Sequence, residues 1–134
     1  IENRNEPLFG KNGDYYGLSD IFEKTSPAVG WQFDTGNPFS GSRVSLSPDK
    51  VKQFFTTYIT RLHYIHLKAS PNGNAQPFLK QNPLSFEVVF SGMNQQKVPY
   101  IAIEHLVTED DEKAEVYNNH DKSIQFLKAH YSLQ

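Results

Sequence analysis

The sequence contains no cysteine, which excludes disulfide bonds and thiolate metal ligands. It also has no run of about 18 apolar residues, the length that a membrane helix needs, so we expect no membrane partner. No basic cluster stands out, and 13 Lys and Arg against 15 Asp and Glu give a net charge of -2, which argues against nucleic acid as a partner. No secretory signal is recognisable. Together these absences predict a soluble, cytoplasmic protein.

The composition is sufficient for one domain with a packed core. Of the 134 residues, 37% are hydrophobic and 13% are aromatic, so we interpret residues 1–134 as a single domain. The chain begins with Ile1 rather than Met, and Ile1-Glu2-Asn3 is typical of the end of a strand. We therefore expect a piece of a larger protein.

Short apolar strands alternate with amphipathic helices along the chain. After the strand end at 1–3, a polar loop leads to a helix over 18–24, and further strands are predicted at 29–34, 63–68 and 100–104. A second helix is predicted to start at Ser47-Pro48-Asp49, with helical spacing of apolar residues from Val51 to Leu62. A third helix is predicted to start at Asn82-Pro83, and a last helix runs towards Tyr131. Strands joined by single helices run parallel. The predicted fold class is α/β, with a parallel sheet and the helices outside it.

Each predicted strand ends on a side chain that can bind a metal: Glu2, Asp34, His66 and Glu104. Each step from one of these residues to the next is about one βα unit, which takes roughly 30 residues or more. Because side chains alternate between the two faces of a strand, these four share one face, and bulky apolar residues such as Trp31 fall on the opposite face. The four side chains are therefore expected to converge at the C-terminal edge of the sheet.

Three carboxylates and one imidazole at a single point form a typical site for a divalent metal. Hard oxygen ligands with one nitrogen suit Mn²⁺, Mg²⁺, Co²⁺ or Zn²⁺. A single acid at a strand end is more often a helix cap or a solvated residue. Four residues of ligand type at the spacing of one βα unit favour a shared site.

The strand-end motifs also resemble those of a known family. They are Ile1-Glu2-Asn3, Phe33-Asp34-Thr35-Gly36-Asn37, Ile65-His66-Leu67-Lys68 and Tyr100-Ile101-Ala102-Ile103-Glu104. In this order the chain resembles the C-terminal half of a xylose-isomerase-like TIM barrel, from the superfamily of sugar phosphate isomerases and epimerases. The resemblance covers nearly all of the chain and implies that its strands are the fifth to eighth of a (β/α)8 barrel. It also implies that the four strand-end residues bind one divalent metal.

The resemblance further implies a reaction on a small sugar or sugar phosphate. In this family the metal chelates a ketose carbonyl and its neighbouring hydroxyl, which stabilises an enediolate. Glu2 and Glu104 would serve as catalytic acid and base. Asn37 and Lys68 would bind substrate hydroxyls or a phosphate, although Lys68 is equally typical of a solvated lysine. The chain departs from the family pattern at Asn37, where many members have His, and at Ala69, where an acid is common.

Three other interpretations stay open at this stage. The same motif set resembles a lyase of the inosose-dehydratase kind. A metal-dependent endonuclease of the superfamily is less compatible, because it uses more His ligands and a basic surface. A non-catalytic half-barrel is the third interpretation. Four strands would leave two exposed edges, which predicts association with the missing N-terminal half of the barrel or with a second copy.

Overall fold

The computed structural model describes residues 1–3, 8, 11–12, 15–39, 47–68, 84–104 and 113–131. Within these ranges the strands are β1 (Lys11–Asn12), β2 (Tyr15–Tyr16), β3 (Trp31–Asp34), β4 (Leu62–Leu67) and β5 (Tyr100–Ile103). The helices are α1 (Leu18–Lys24), α2 (Pro48–Thr57), α3 (Phe86–Gln96) and α4 (Lys113–His130), and short 3-10 helices span Asn37–Phe39 and Ile59–Arg61. The bounds of β3, β4 and β5 differ from the predicted bounds by one or two residues.

A parallel sheet with the strand order β3-β4-β5 forms the centre of the molecule. Its register places Asp34 beside His66 and His66 beside Ala102. The predicted parallel α/β architecture is therefore confirmed. The segment at 1–3 joins the sheet through a single parallel bridge between Glu2 and Gln32, so the described residues contain three strands and one bridge where four strands were predicted.

The hydrophobic core lies on one face of this sheet, against α1, α2 and α3. Trp31 and Phe33 of β3 are fully buried, and their rings contact Phe54 and Phe55 of α2 at centroid distances of 4.9 to 5.9 Å. Burying one side chain of this size contributes about 1.5–3 kcal/mol. The predicted position of Trp31 on the helix-facing side is confirmed, and the other face of the sheet is left for polar side chains.

Helix α2 begins as predicted and ends earlier than predicted. It starts at Pro48, and the Ser47 hydroxyl accepts a hydrogen bond from a main-chain N–H of the first turn. The prediction that the helical spacing continues to Leu62 is wrong, because the helix ends at Thr57 and Leu62 begins β4. The hydroxyls of Thr56 and Thr57 donate to carbonyls one turn back, which competes with the main-chain ladder and weakens the end of the helix.

The segment before α1 was predicted to be a loop, and this prediction is wrong at β1 and β2. These two short strands pair in an antiparallel arrangement, with Lys11 beside Tyr16 and Asn12 beside Tyr15. The register leaves the dipeptide Gly13-Asp14 between the paired residues Asn12 and Tyr15. Gly-Asp is a common signal for a two-residue hairpin connection and could have identified the pair from the sequence.

Two other predictions concern the second half of the chain. Residues Asn82-Pro83, where a helix start was predicted, lie outside the described residues, as do residues 40–46, 69–81 and 105–112. Helix α3 begins at Phe86, after Ser85 in an extended conformation, which is later than the predicted start. The last helix, predicted towards Tyr131, is continuous from Lys113 to His130. None of the helices in the described ranges has the length and apolar character needed to cross a bilayer. The cytoplasmic location stays a prediction.

Candidate active site at the ends of the parallel strands

The four predicted metal ligands lie together at the C-terminal edge of the sheet. Glu2, Asp34 and His66 each contribute one potential ligand atom, and these three atoms lie within 4.8 Å of one another. Glu104, directly after β5, places Oε2 at 3.2 Å from Nδ1 of His66. The residues come from neighbouring positions across the sheet, so parallel register brings together side chains that are far apart in sequence.

Asp34 is fully buried, and its two carboxylate oxygens have different surroundings. Oδ1 accepts hydrogen bonds from the main-chain N–H groups of Gly36, at 2.8 Å, and Asn37, at 2.7 Å. Oδ2 is buried and has no hydrogen-bond partner among the described residues. Burial raises the pKa of Asp34 above its ordinary value, although the two N–H groups and the charge of Lys68 oppose the shift. A buried oxygen without a partner costs about 1–3 kcal/mol, so this oxygen is suited to an electropositive ligand.

Asn3 holds the main chain of Asp34 and is a residue that the sequence reasoning missed. Its fully buried side chain accepts a hydrogen bond from Asp34 N–H through Oδ1, at 2.8 Å, and donates to the Asp34 carbonyl through Nδ2, at 2.9 Å. The carboxamide has the same donor and acceptor as a peptide unit, so it extends the strand pairing beyond the bridge at Glu2. Asn37 in turn donates from Nδ2 to the Asn3 carbonyl, at 3.1 Å. The signal in the sequence was a polar side chain on the face opposite Glu2, where an amide needs a partner.

Lys68 and Asn37, the two predicted substrate residues, also lie at this edge. Nζ of Lys68 donates to Oε1 of Glu104, at 2.7 Å, and to Oδ1 of Asn37, at 3.3 Å. Burial raises the pKa of Glu104, but the hydrogen bond and charge of Lys68, together with the nearby His66, outweigh burial and hold this pKa below its ordinary value. The structure thus brings together all six predicted site residues.

Two further side chains contact the imidazole of His66 on the polar face. The amide Nε2 of Gln32 lies 3.3 Å from both ring nitrogens, and the ring of Tyr64 meets the imidazole edge-on at a centroid distance of 5.2 Å. Side-chain alternation places Gln32 on the face of Asp34 and Tyr64 on the face of His66. Their contacts restrict the orientation of His66 within the cluster.

The donor set and its geometry fit a divalent cation. Two ligands of one ion lie at most roughly 4.4 Å apart, since each metal–oxygen bond measures about 2.0–2.2 Å. The limit of 4.8 Å among Glu2, Asp34 and His66 is slightly wider than this, so a small inward movement of the side chains suffices. Oδ2 of Asp34 adds a reason beyond proximity, because it is a buried acceptor that lies 3.8 Å from Nδ1 of His66 and has no hydrogen-bond partner in the described ranges.

No protein-family model matches the sequence, and no curated protein matches it significantly. Among solved structures, the chain is similar to a sugar phosphate isomerase/epimerase from Parabacteroides distasonis, with a TM-score of 0.63 and 15% sequence identity. The match covers 95% of this chain and 44% of that chain, so the chain spans less than half the length of this neighbour. At this identity the likeness shows the fold alone. It confirms the predicted fold class, the βα units of a TIM barrel.

Proposed function

We propose that the chain is part of a metal-dependent isomerase or epimerase acting on a sugar or sugar phosphate. The observation that carries this proposal is the convergence of four ligand-type side chains. They include a buried carboxylate oxygen to which no described residue donates a hydrogen bond. Their place at the C-terminal ends of parallel strands is where barrels of this architecture have their active sites. The structural likeness to a sugar phosphate isomerase/epimerase supports the choice of reaction class.

In this proposal Glu2, Asp34, His66 and Glu104 would hold one Mn²⁺, Mg²⁺, Co²⁺ or Zn²⁺ ion. When bound, such an ion draws electron density from a substrate carbonyl and the neighbouring hydroxyl, which makes the adjacent C–H more acidic. Asp34 is fully buried and its main chain is fixed by Asn3, so we assign it a ligand role without proton transfer.

The two glutamates are placed to move protons. The side chains of Glu2 and Glu104 are 24% and 35% exposed, so a substrate that approaches from solvent reaches both of them. One carboxylate takes the proton from the substrate carbon, and the other carboxyl group returns a proton at the neighbouring carbon or on the opposite face. Substrate contacts of Asn37 and Lys68 stay a prediction.

The test is exchange of a substrate C–H with deuterium from the solvent. The chain, assembled with the strands that complete the barrel, is incubated in D₂O with Mn²⁺ and a panel of ketoses and ketose phosphates, and the loss of proton NMR signal is followed. We expect exchange with one of these sugars and a loss of at least about 10²-fold in both Glu2→Gln and Glu104→Gln. The matched control is Glu115→Gln, an exposed position in α4, which should leave exchange unchanged. Cation binding without exchange of any sugar would contradict the proposal, and elimination of water would indicate the lyase instead.

We also propose that further strands complete the barrel. Among the described strands, β5 has one neighbour, β4, and the segment at 1–3 bridges only to β3. Parallel sheets are generally paired and covered, because an open edge leaves main-chain groups without partners. The missing strands would come from the N-terminal half of the barrel or from a second copy of this chain.

A further inference from the structure

Lys68 is held along its whole length by neighbouring residues. The Oγ1 of Thr35 accepts a hydrogen bond from Lys68 N–H, at 2.9 Å, and donates to the Lys68 carbonyl, at 2.7 Å. The aliphatic stem crosses Gly36 so closely that a Cβ added there would lie 2.7 Å from Cγ of Lys68. At its tip, Nζ bonds to Asn37 and Glu104, and the side chain is only 10% exposed. Three consecutive residues after β3 therefore hold this lysine, which is unlike a solvated surface lysine.

The ammonium group of Lys68 occupies one of the two oxygens of Glu104. The contact of Nζ with Oε1, at 2.7 Å, is a short hydrogen bond between opposite charges, the strong class of hydrogen bond. The other oxygen, Oε2, lies beside Nδ1 of His66 at 3.2 Å, on the side of the carboxylate that faces the ligand cluster. A cation next to His66 would therefore reach Oε2 while Oε1 stays bonded to the lysine.

We propose that Lys68 is a positioning residue that limits Glu104 to one ligand oxygen and thereby sets the affinity and selectivity of the cation site. This inference rests on the metal site of the proposed function. The fixed positive charge repels a cation, and the bond to Oε1 prevents two-oxygen coordination. Ca²⁺ binds about six to eight oxygens and often takes both oxygens of a carboxylate, whereas smaller cations such as Mg²⁺ need fewer. Lys68 would thus disfavour Ca²⁺ more than the smaller ions.

The test is calorimetric titration of Mn²⁺ and Ca²⁺ into Lys68→Met, which keeps the length of the stem and removes the charge and the hydrogen bond. We expect Mn²⁺ to bind about tenfold more tightly, because a repelling charge beside the site is removed. The gain for Ca²⁺ should be larger than the gain for Mn²⁺. Lys52→Met, at an exposed position of α2, makes the same change of net charge away from the site and should leave both affinities unchanged.

Because the inference predicts a gain, it differs in sign from a purely structural role. Weaker or unchanged Mn²⁺ binding in folded Lys68→Met would overturn it, and so would equal gains for the two cations. Lys68→Gln serves as the second variant where Lys68→Met fails to fold, with thermal unfolding as the check. In a Glu104→Gln background the effect of Lys68→Met should shrink, because the lysine acts through that carboxylate.

A different result would show that the proposed function itself is wrong. If the unaltered, folded chain binds neither cation, then the cluster is not a metal site, and this outcome is visible before any lysine variant is made. If the unaltered chain binds Mn²⁺ and only the Lys68→Met result differs from expectation, the metal site stands and the role of Lys68 is overturned.

Discussion

Asn3→Ala is the most direct perturbation of the candidate site that leaves every ligand in place. The substitution removes both hydrogen bonds between the Asn3 carboxamide and the main chain of Asp34, at 2.8 and 2.9 Å. The side chain of Asn3 is 0% exposed. The main-chain N–H and carbonyl of Asp34 would therefore lose their hydrogen-bond partners in a buried place. Each such group costs about 1–3 kcal/mol, and we expect a total loss of about 3 kcal/mol in the free energy of unfolding.

The assay is denaturant unfolding of the cation-free protein at constant pH, with Asn118→Ala as the matched control. Asn118 is exposed in α4, and its replacement should change the free energy of unfolding by less than about 0.5 kcal/mol. Cation affinity should also fall in Asn3→Ala, because the main chain that aims the Asp34 carboxylate is no longer fixed.

A loss below about 1 kcal/mol in Asn3→Ala would refute this reasoning, since an unsatisfied buried pair costs more than that. It would mean that the main chain of Asp34 finds other partners. Unchanged cation affinity in a destabilised variant would show that the hydrogen bonds support the fold without positioning the carboxylate.

Four further predictions follow from individual contacts. Asp34→Asn should abolish cation binding yet stabilise the cation-free protein at neutral pH. Because burial raises the pKa of Asp34, the native carboxyl group contributes most stability below its ordinary pKa, and this contribution is lost as the pH rises through the raised pKa. Unfolding measured at several pH values should therefore show that the stability advantage of Asn disappears in acid. Gly36→Ala should cost about 1–3 kcal/mol in thermal unfolding, since the new Cβ would lie 2.7 Å from Cγ of Lys68, and an unchanged melting temperature would contradict that contact. Lys97→Gly should stabilise the protein by about 1 kcal/mol, because Lys97 ends α3 with φ 50° and ψ 50°, a left-handed conformation that costs a side chain more than glycine. The chain by itself should form dimers or larger species in light scattering if its sheet edges need partners, and a stable monomer would contradict barrel completion by a second copy.

The ligand cluster was predictable because two simple rules act together. Side-chain alternation assigns Asp34 and His66 to the face opposite Trp31, and parallel register then brings their strand ends to one edge. The ends of elements were less predictable. The apolar spacing that starts in α2 runs on to Leu62, yet hydrogen bonds from the Thr56 and Thr57 hydroxyls weaken the helix before that point.

The roles of Asn3 and Lys68 could not be read from spacing. Both side chains act on residues about 30 or more positions away, and their partners depend on which atoms meet after the strands have paired. Lys68 would be a solvated residue if Gly36 were replaced by a residue with a side chain, or if the side chain of Glu104 pointed away from it. Hydrogen bonds of this kind depend on the distance and direction between two atoms, and a pattern along the sequence contains neither.

The sequence by itself therefore determined the α/β class, the parallel direction of the strands and the identity of the residues at the strand ends. These features follow from local periodicity, from turn and capping residues, and from the length that a crossover requires. The tertiary structure alone decided that one buried oxygen of Asp34 has no hydrogen-bond partner within the described part of the chain, and that Lys68 occupies one oxygen of Glu104. The physical reason is that burial and hydrogen bonding belong to the packed arrangement of several strand ends, whereas periodicity belongs to each strand alone.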